Sequence, residues 1–156
     1  MANATKAEIE SGGSYLPIPP AFPVTMNDDL DRPHREGLER DELWVQFCPA
    51  CDTYQWGPEW LCHNCHSYGV EWRQVEGRGV VYSWERAWHP VAPALAEAVP
   101  YVTVLVELPH AGHIRMLGNL LGDPEAEVVI GSEVEAVFEH HRDHDPPFTL
   151  VQWSRL

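Results

Sequence analysis

Lysine is almost missing from this chain of 156 residues. Lys6 is the only one, and nine arginines supply the remaining fixed cations against 24 acidic residues, a formal net charge of −14. Between 41 and 70 there is neither Lys nor Arg. Nucleic-acid binding depends on neutralising phosphates with those two side chains, so the balance argues against a DNA or RNA partner. It fits either plain solubility or a basic protein partner. No apolar run approaches the ~18 residues that a membrane span needs, and Met1 to Lys6 carries no apolar segment of a signal peptide. A cytoplasmic protein is therefore expected. Also missing are a G-x-S-x-G nucleophile elbow and a Gly-rich phosphate loop; Gly77-Arg78-Gly79 is too short to count.

Cysteine is confined to four positions, in two matched pairs: Cys48-Pro49-Ala50-Cys51 and Cys62-His63-Asn64-Cys65. The pattern C-x2-C-x10-C-x2-C reads as one tetrahedral zinc site built from two knuckles, with Cys48, Cys51, Cys62 and Cys65 as ligands. Cys62 to His66 also fits the C-x-x-C-H of haem attachment, but that leaves Cys48 and Cys51 unexplained. Two disulfides would require an oxidising compartment, and redox C-x-x-C motifs do not usually come as matched pairs. A closed four-thiolate shell leaves no thiol to act as nucleophile and adds about two negative charges to an already acidic segment. His63 and His66 are expected on the ribbon surface.

Four segments follow from composition. Residues 1–26 carry Ser11-Gly12-Gly13-Ser14 and four prolines (Pro17, Pro19, Pro20, Pro23), which oppose helix and suggest an extended arm. Its apolar residues Tyr15, Leu16, Ile18 and Phe22 would lie along the body or a partner. Residues 27–42 suggest a short helix over 28–42, capped by Asn27 or Asp28 and weakened at Gly37. Residues 43–75 form the ribbon, where Trp44, Trp56, Trp60 and Trp72 either pack around the metal or offer an aromatic surface. Residues 76–156 alternate with period two. Val80, Tyr82, Trp84 and Trp88 would share one face. So would Val102, Val104, Val106 and Leu108; then Ile114, Met116 and Gly118; then Val134, Ala136 and Phe138, with Glu139 opposite or flanking; and finally Phe148, Leu150 and Gln152. Five short strands without a long helix favour a nearly closed sheet, the five-stranded OB barrel. The expected architecture is mainly β: an arm and short helix, a rubredoxin-like four-cysteine zinc ribbon, then the barrel. The longest interruption, Arg86 to Pro100, is either functional or a cover for the barrel mouth. The tail His140 to Asp145 reads as a solvated turn.

A zinc ribbon followed directly by an OB barrel resembles the acyl-CoA-associated zinc-ribbon/OB-fold family. Arg32 to Leu38 before the ribbon, Tyr54 and Pro58 between the knuckles, Gly77 to Ser83, Pro100-Tyr101 through Leu108, Gly118-Asn119-Leu120 and Ile130 to Val134 match in order. The family's helix usually carries aromatics where this chain has His34-Arg35. The resemblance implies an accessory subunit that docks on a thiolase-like catalytic subunit and helps shape its channel for the CoA thioester. The small subunit of 2-benzoylsuccinyl-CoA thiolase is one such type. On that reading Trp44, Trp56, Trp60, Arg78, Arg86, His89 and Tyr101 are the partner- or CoA-contacting candidates.

The residues themselves point the same way. A thiolase needs a cysteine activated by a histidine, and every cysteine here is committed to metal. His89, His110 and His113 have no visible partner in the sequence. The chain is expected to be non-catalytic alone, yet required in a thiolase-type acyltransferase or aldolase. The alternatives are a partner of an acyl-CoA hydratase, a single-stranded nucleic-acid module stacking bases on Tyr82, Trp84 and Trp88, and an autonomous enzyme with its substrate in the barrel.

Overall fold

Alternation of apolar residues decides the main sheet. In the computed structural model, which describes residues 3–18 and 29–156, Val102, Val104, Val106 and Leu108 are each 0 % exposed. They lie on strand β5 (Tyr101–Leu108), numbered after two helices and four earlier strands: α1 (Lys6–Glu10), α2 (Arg32–Leu38), β1 (Leu43–Cys48), β2 (Thr53–Gln55), β3 (Glu71–Val75) and β4 (Arg78–Ala87). After β5 come β6 (Ile114–Asn119), β7 (Glu133–His141) and β8 (Phe148–Arg155). The larger sheet runs β6-β5-β4-β7-β8, every pairing antiparallel. A parallel bridge between Leu120 and Trp153 joins its two ends. That closure makes the sheet the expected OB-type barrel, with Trp153, 0 % exposed, inside it.

Three strands differ from the expected pattern; on β8, Val151 and Trp153 rather than Phe148, Leu150 and Gln152 pack into the barrel core. On β4 the buried residues are Gly79 and Val81, while Tyr82 and Trp84, and Trp88 just beyond the strand, are exposed. A bulge pairs Val81 with Val106 but Ser83 with Leu105, so one residue drops out of the alternation. On β7, Val134 is buried, and Ala136 and Phe138 pack on the same core. Glu139, expected opposite or flanking, is instead 0 % exposed. The reason is the N-terminal arm, which covers that face.

The arm is not wholly extended. Thr5 and Glu8 form a capping box, in which Thr5 N–H donates to Glu8 Oε2 over 2.7 Å, and this starts α1. Ile9 and Tyr15 then bury against Tyr101, Leu121 and Val137. Glu139 holds the arm: its Oε1 accepts from Ser14 Oγ at 2.9 Å and from Tyr15 N–H at 3.2 Å. The same carboxylate accepts from Gln152 Nε2 at 2.6 Å and pairs with His141 Nε2 at 2.8 Å. The described part of the arm, 3–18, thus lies along the chain's own body. Pro19, Pro20, Phe22, Pro23 and the expected caps Asn27 and Asp28 lie outside the described residues.

Helix α2 has seven residues, shorter than expected, and Pro33 sits at its start. Gly37 serves a contact: a Cβ there would stand 2.3 Å from Trp44 Cδ1. The small sheet is β2-β1-β3. Leu38 of α2 and Leu43 and Val45 of β1 join one cluster with Val81, Val104, Leu120 and Trp153 of the barrel. Ribbon and barrel therefore share a core.

Candidate metal centre and neighbouring cleft

The two knuckles are built alike. β1 delivers Cys48, the chain turns, and Asp52 directly after Cys51 adopts a left-handed φ of 54°. His66 directly after Cys65 does the same at 60°. Left-handed backbone is uncommon outside glycine, and here it swings the chain away once each pair of sulfurs has been presented. Cys62 O accepts from His66 N–H, and Cys62 N–H donates to Ser67 O, both at 2.9 Å.

All four Sγ atoms lie within 4.8 Å of one another. Cys48 to Cys65 and Cys51 to Cys62 are each 3.6 Å, far beyond a disulfide bond of about 2.05 Å. A tetrahedron with metal–sulfur bonds near 2.3 Å has edges of about 3.8 Å, so the donor set fits one four-coordinate ion. Polar groups surround the sulfurs. Ser67 Oγ is 3.2 Å from Cys48 Sγ and 3.4 Å from Cys65 Sγ, Thr53 Oγ1 is 3.2 Å from Cys51 Sγ, and Asn64 N–H donates to Cys62 Sγ. Ser67 holds the Cys48 and Cys65 thiols below their ordinary range, and Thr53 does so for Cys51, which favours the thiolate at those three positions; Cys62 is shifted upward. His63 and His66 are exposed and outside the cluster. Among the described residues this is the only grouping of metal-binding type; the histidines of 140–144 form none.

A cleft of about 490 Å³ opens between α2, the ribbon and the barrel, lined by His34, Leu38, Trp56, Met116, Asn119 and Phe148 among others. His34 is buried, its Nδ1–H donates to Trp44 O at 2.8 Å, and its ring centroid lies 4.3 Å from that of Trp56. Burial pushes its pKa down, against the opposing pull of that hydrogen bond. Arg35 is tied to Asp31 at 2.9 Å and to Asp29 at 3.6 Å. Asn119 Nδ2 donates to Val102 O. No cysteine or serine lines this cleft, and His34 points its one bonded nitrogen at a carbonyl rather than a carboxylate. The cleft can hold an elongated, largely apolar group; the one hydroxyl–imidazole pair at its rim among the described residues is Thr149 Oγ1 with His140 Nδ1 at 3.0 Å, and His140 Nε2 bonds Asp41 Oδ1 at 2.9 Å.

The seven contact candidates do not converge. Trp56 faces the cleft. Trp44 lies on Gly37 and donates its Nε1–H to Glu42 Oε2 at 2.9 Å. Trp60 is 60 % exposed. Arg78 is exposed where β4 meets β7. Arg86 is held by the carbonyls of Pro124 and Ala126 at 2.7 and 2.9 Å. His89 is exposed in the following segment, next to exposed Trp88. Tyr101 is buried against the arm, so it offers little surface to a partner. His34 and Glu139 are buried polar groups that sequence spacing does not reveal; their signal is long-range packing.

Residues 72–139 match the family model of the ChsH2 C-terminal OB-fold domain. A probable enoyl-CoA hydratase alpha subunit of Thermomonospora curvata is 35 % identical over 115 residues, covering 74 % of this chain and 34 % of that protein. The 3-oxo-4,17-pregnadiene-20-carboxyl-CoA hydratase alpha subunit of Mycobacterium tuberculosis is 30 % identical over 149 residues, or 87 % and 45 %. The chain thus spans less than half the length of either curated relative. The solved Ltp2-ChsH2(DUF35) aldolase superposes with a TM-score of 0.69 at 30 % identity, covering 86 % of this chain and 98 % of that one.

Proposed function

This chain belongs to the DUF35 family of acyl-CoA-associated OB-fold accessory proteins, and from that premise we propose that it is a non-catalytic subunit of an acyl-CoA-processing complex. The observation that carries the reading is the likeness to the DUF35 chain of an aldolase, which extends over 98 % of that chain. The cysteine cluster supports it, because all four cysteines are gathered at one site and none is left to serve as a thiolase-type nucleophile. In this proposal the cysteines bind one structural zinc, whose four thiolates leave no open position for catalysis. The metal keeps the ribbon and α2 rigid against a thiolase-like partner that makes or breaks a C–C bond. The barrel, the segment 88–100 and the cleft beside Trp56 border the partner's channel for the CoA thioester. An excess of 14 negative charges repels the CoA phosphates, so the partner supplies the cations for them, together with the nucleophile and base.

A hydratase partner is the second reading, favoured by the names of the two curated relatives. One experiment addresses both. The tagged chain is purified from its native cells, its metal is measured, and acyl-CoA turnover is assayed for the complex and for the chain alone. The expected result is about one zinc per chain, a co-purifying thiolase-like subunit, and turnover by the complex only. A hydratase-type subunit would select the second reading. Turnover by the chain alone, or a zinc-loaded chain without a partner, overturns the subunit role.

A further inference from the structure

Among the described residues, the outer edge of β4 beyond Val81 has no strand partner. β7 pairs with β4 only at Arg78, Gly79 and Val80. One residue further, Val81 exchanges main-chain hydrogen bonds with the turn before β7: its N–H donates to Ser132 O at 2.9 Å, and its O accepts from Gly131 N–H at 2.7 Å. Beyond Val81 the pairing partner of β4 is β5 alone.

The direction of the open groups follows from the ladder. Val102, opposite Arg86, gives its carbonyl to Leu120 N–H, away from β4. Opposed antiparallel residues alternate between bonded and non-bonded pairs. Arg86–Val102 and Trp84–Val104 are therefore non-bonded pairs, and Trp84 and Arg86 turn their N–H and C=O outward. Among the described residues no main-chain group meets them. Natural sheets blunt such edges or use them.

The surroundings fit use. Trp84 and Trp88 flank the edge at 36 % and 56 % exposed, and Val129 and Ile130, beside Val81, are 55 % and 65 % exposed. Arg86 is fixed between the two tryptophan rings, 5.2 and 5.9 Å from their centres, and bonded to the carbonyls of Pro124 and Ala126. Glu85, Glu125 and Glu127 around it are exposed. A second copy of the chain is a poor occupant, because antiparallel pairing of two such edges sets Glu85 near Glu85 and −14 against −14. Charge complementarity selects an extended, alternately apolar segment with basic flanks.

We propose that the Trp84–Ala87 edge of β4 accepts such a segment from the catalytic partner as an added strand. Main-chain hydrogen bonds would supply affinity, and the exposed aromatics would select the partner's side chains. The inference rests on the subunit reading above and names its docking mode.

The test is hydrogen exchange on the complex purified through the tagged chain, compared with the free chain. The amides of Trp84 and Arg86 should exchange about ten-fold more slowly in the complex, as newly bonded strand amides do. Trp84→Pro removes only an outward N–H and spares the β5 ladder. It should lower complex yield well below that of Trp84→Val, which loses the ring alone. Should Trp84→Pro not fold, the double variant Glu85→Lys, Glu127→Lys keeps the question open to answer: it should weaken assembly and flatten its salt dependence. A complex whose edge exchanges as in the free chain overturns strand addition and leaves the subunit reading standing. A self-associated chain with a protected edge overturns the choice of occupant. Recovery of no partner sinks both readings.

Discussion

His34 carries a proton-linked cost. Burial depresses its pKa below the ordinary value near 6.5, so the unfolded chain takes up the proton first as pH falls. The stability linked to this group is whole above about pH 6.5 and is lost progressively below it, down to the folded value, where the loss stops. Denaturant midpoints should therefore decline from about pH 6.5 downward, and less steeply in His34→Gln, whose amide can still donate to Trp44 O. Glu139→Ala leaves the Tyr15 N–H and Gln152 Nε2 without their acceptor, at about 1–3 kcal/mol for each donor left buried and unpaired. Limited proteolysis should then cut within 11–18 well before the barrel. The cysteines were legible because a four-thiol site of this kind imposes fixed spacing on the sequence. Glu139 was not, because its burial is made by Tyr15, 124 residues away.

At the scale of elements, sequence read the strands better than their faces. β5 and β6 followed simple alternation because each runs unbroken along its partner. β4 did not, because a bulge is set by pairing and carries no residue of its own to announce it. The arm reads as extended from its glycines and prolines, which hide the capping box that Thr5 and Glu8 form at the start of α1. β4 yields a test through Gly79, where a Cβ would stand 2.5 Å from both Glu107 O and Val106 Cγ1. Gly79→Ala should destabilise by roughly 1–3 kcal/mol, the usual cost of overpacking. Gly69→Ala, with nothing within 4 Å, should leave thermal denaturation almost unchanged.

For the molecule as a whole, the shared core matters more than the order ribbon then barrel, which the cysteines and the five alternating runs made visible. Leu43 and Val45 belong to the barrel core and lie on the strand that ends at Cys48, so loss of a metal held by the four cysteines would reach the barrel. A strong chelator, or Cys62→Ala, should abolish metal content and lower a single thermal transition rather than melt the ribbon alone; calorimetry reads this directly. Sequence could not show that coupling, since it depends on α2 and β1 packing against strands far along the chain. The tryptophans add an optical consequence. Trp153 is sealed in an apolar interior, whereas Trp60, Trp84 and Trp88 face water. The intrinsic emission therefore contains a blue component that a soluble quencher cannot reach and a red one that it can. Two of the three red emitters border the open edge of β4, so an arriving strand would announce itself as a loss of quenching, without a label on either protein.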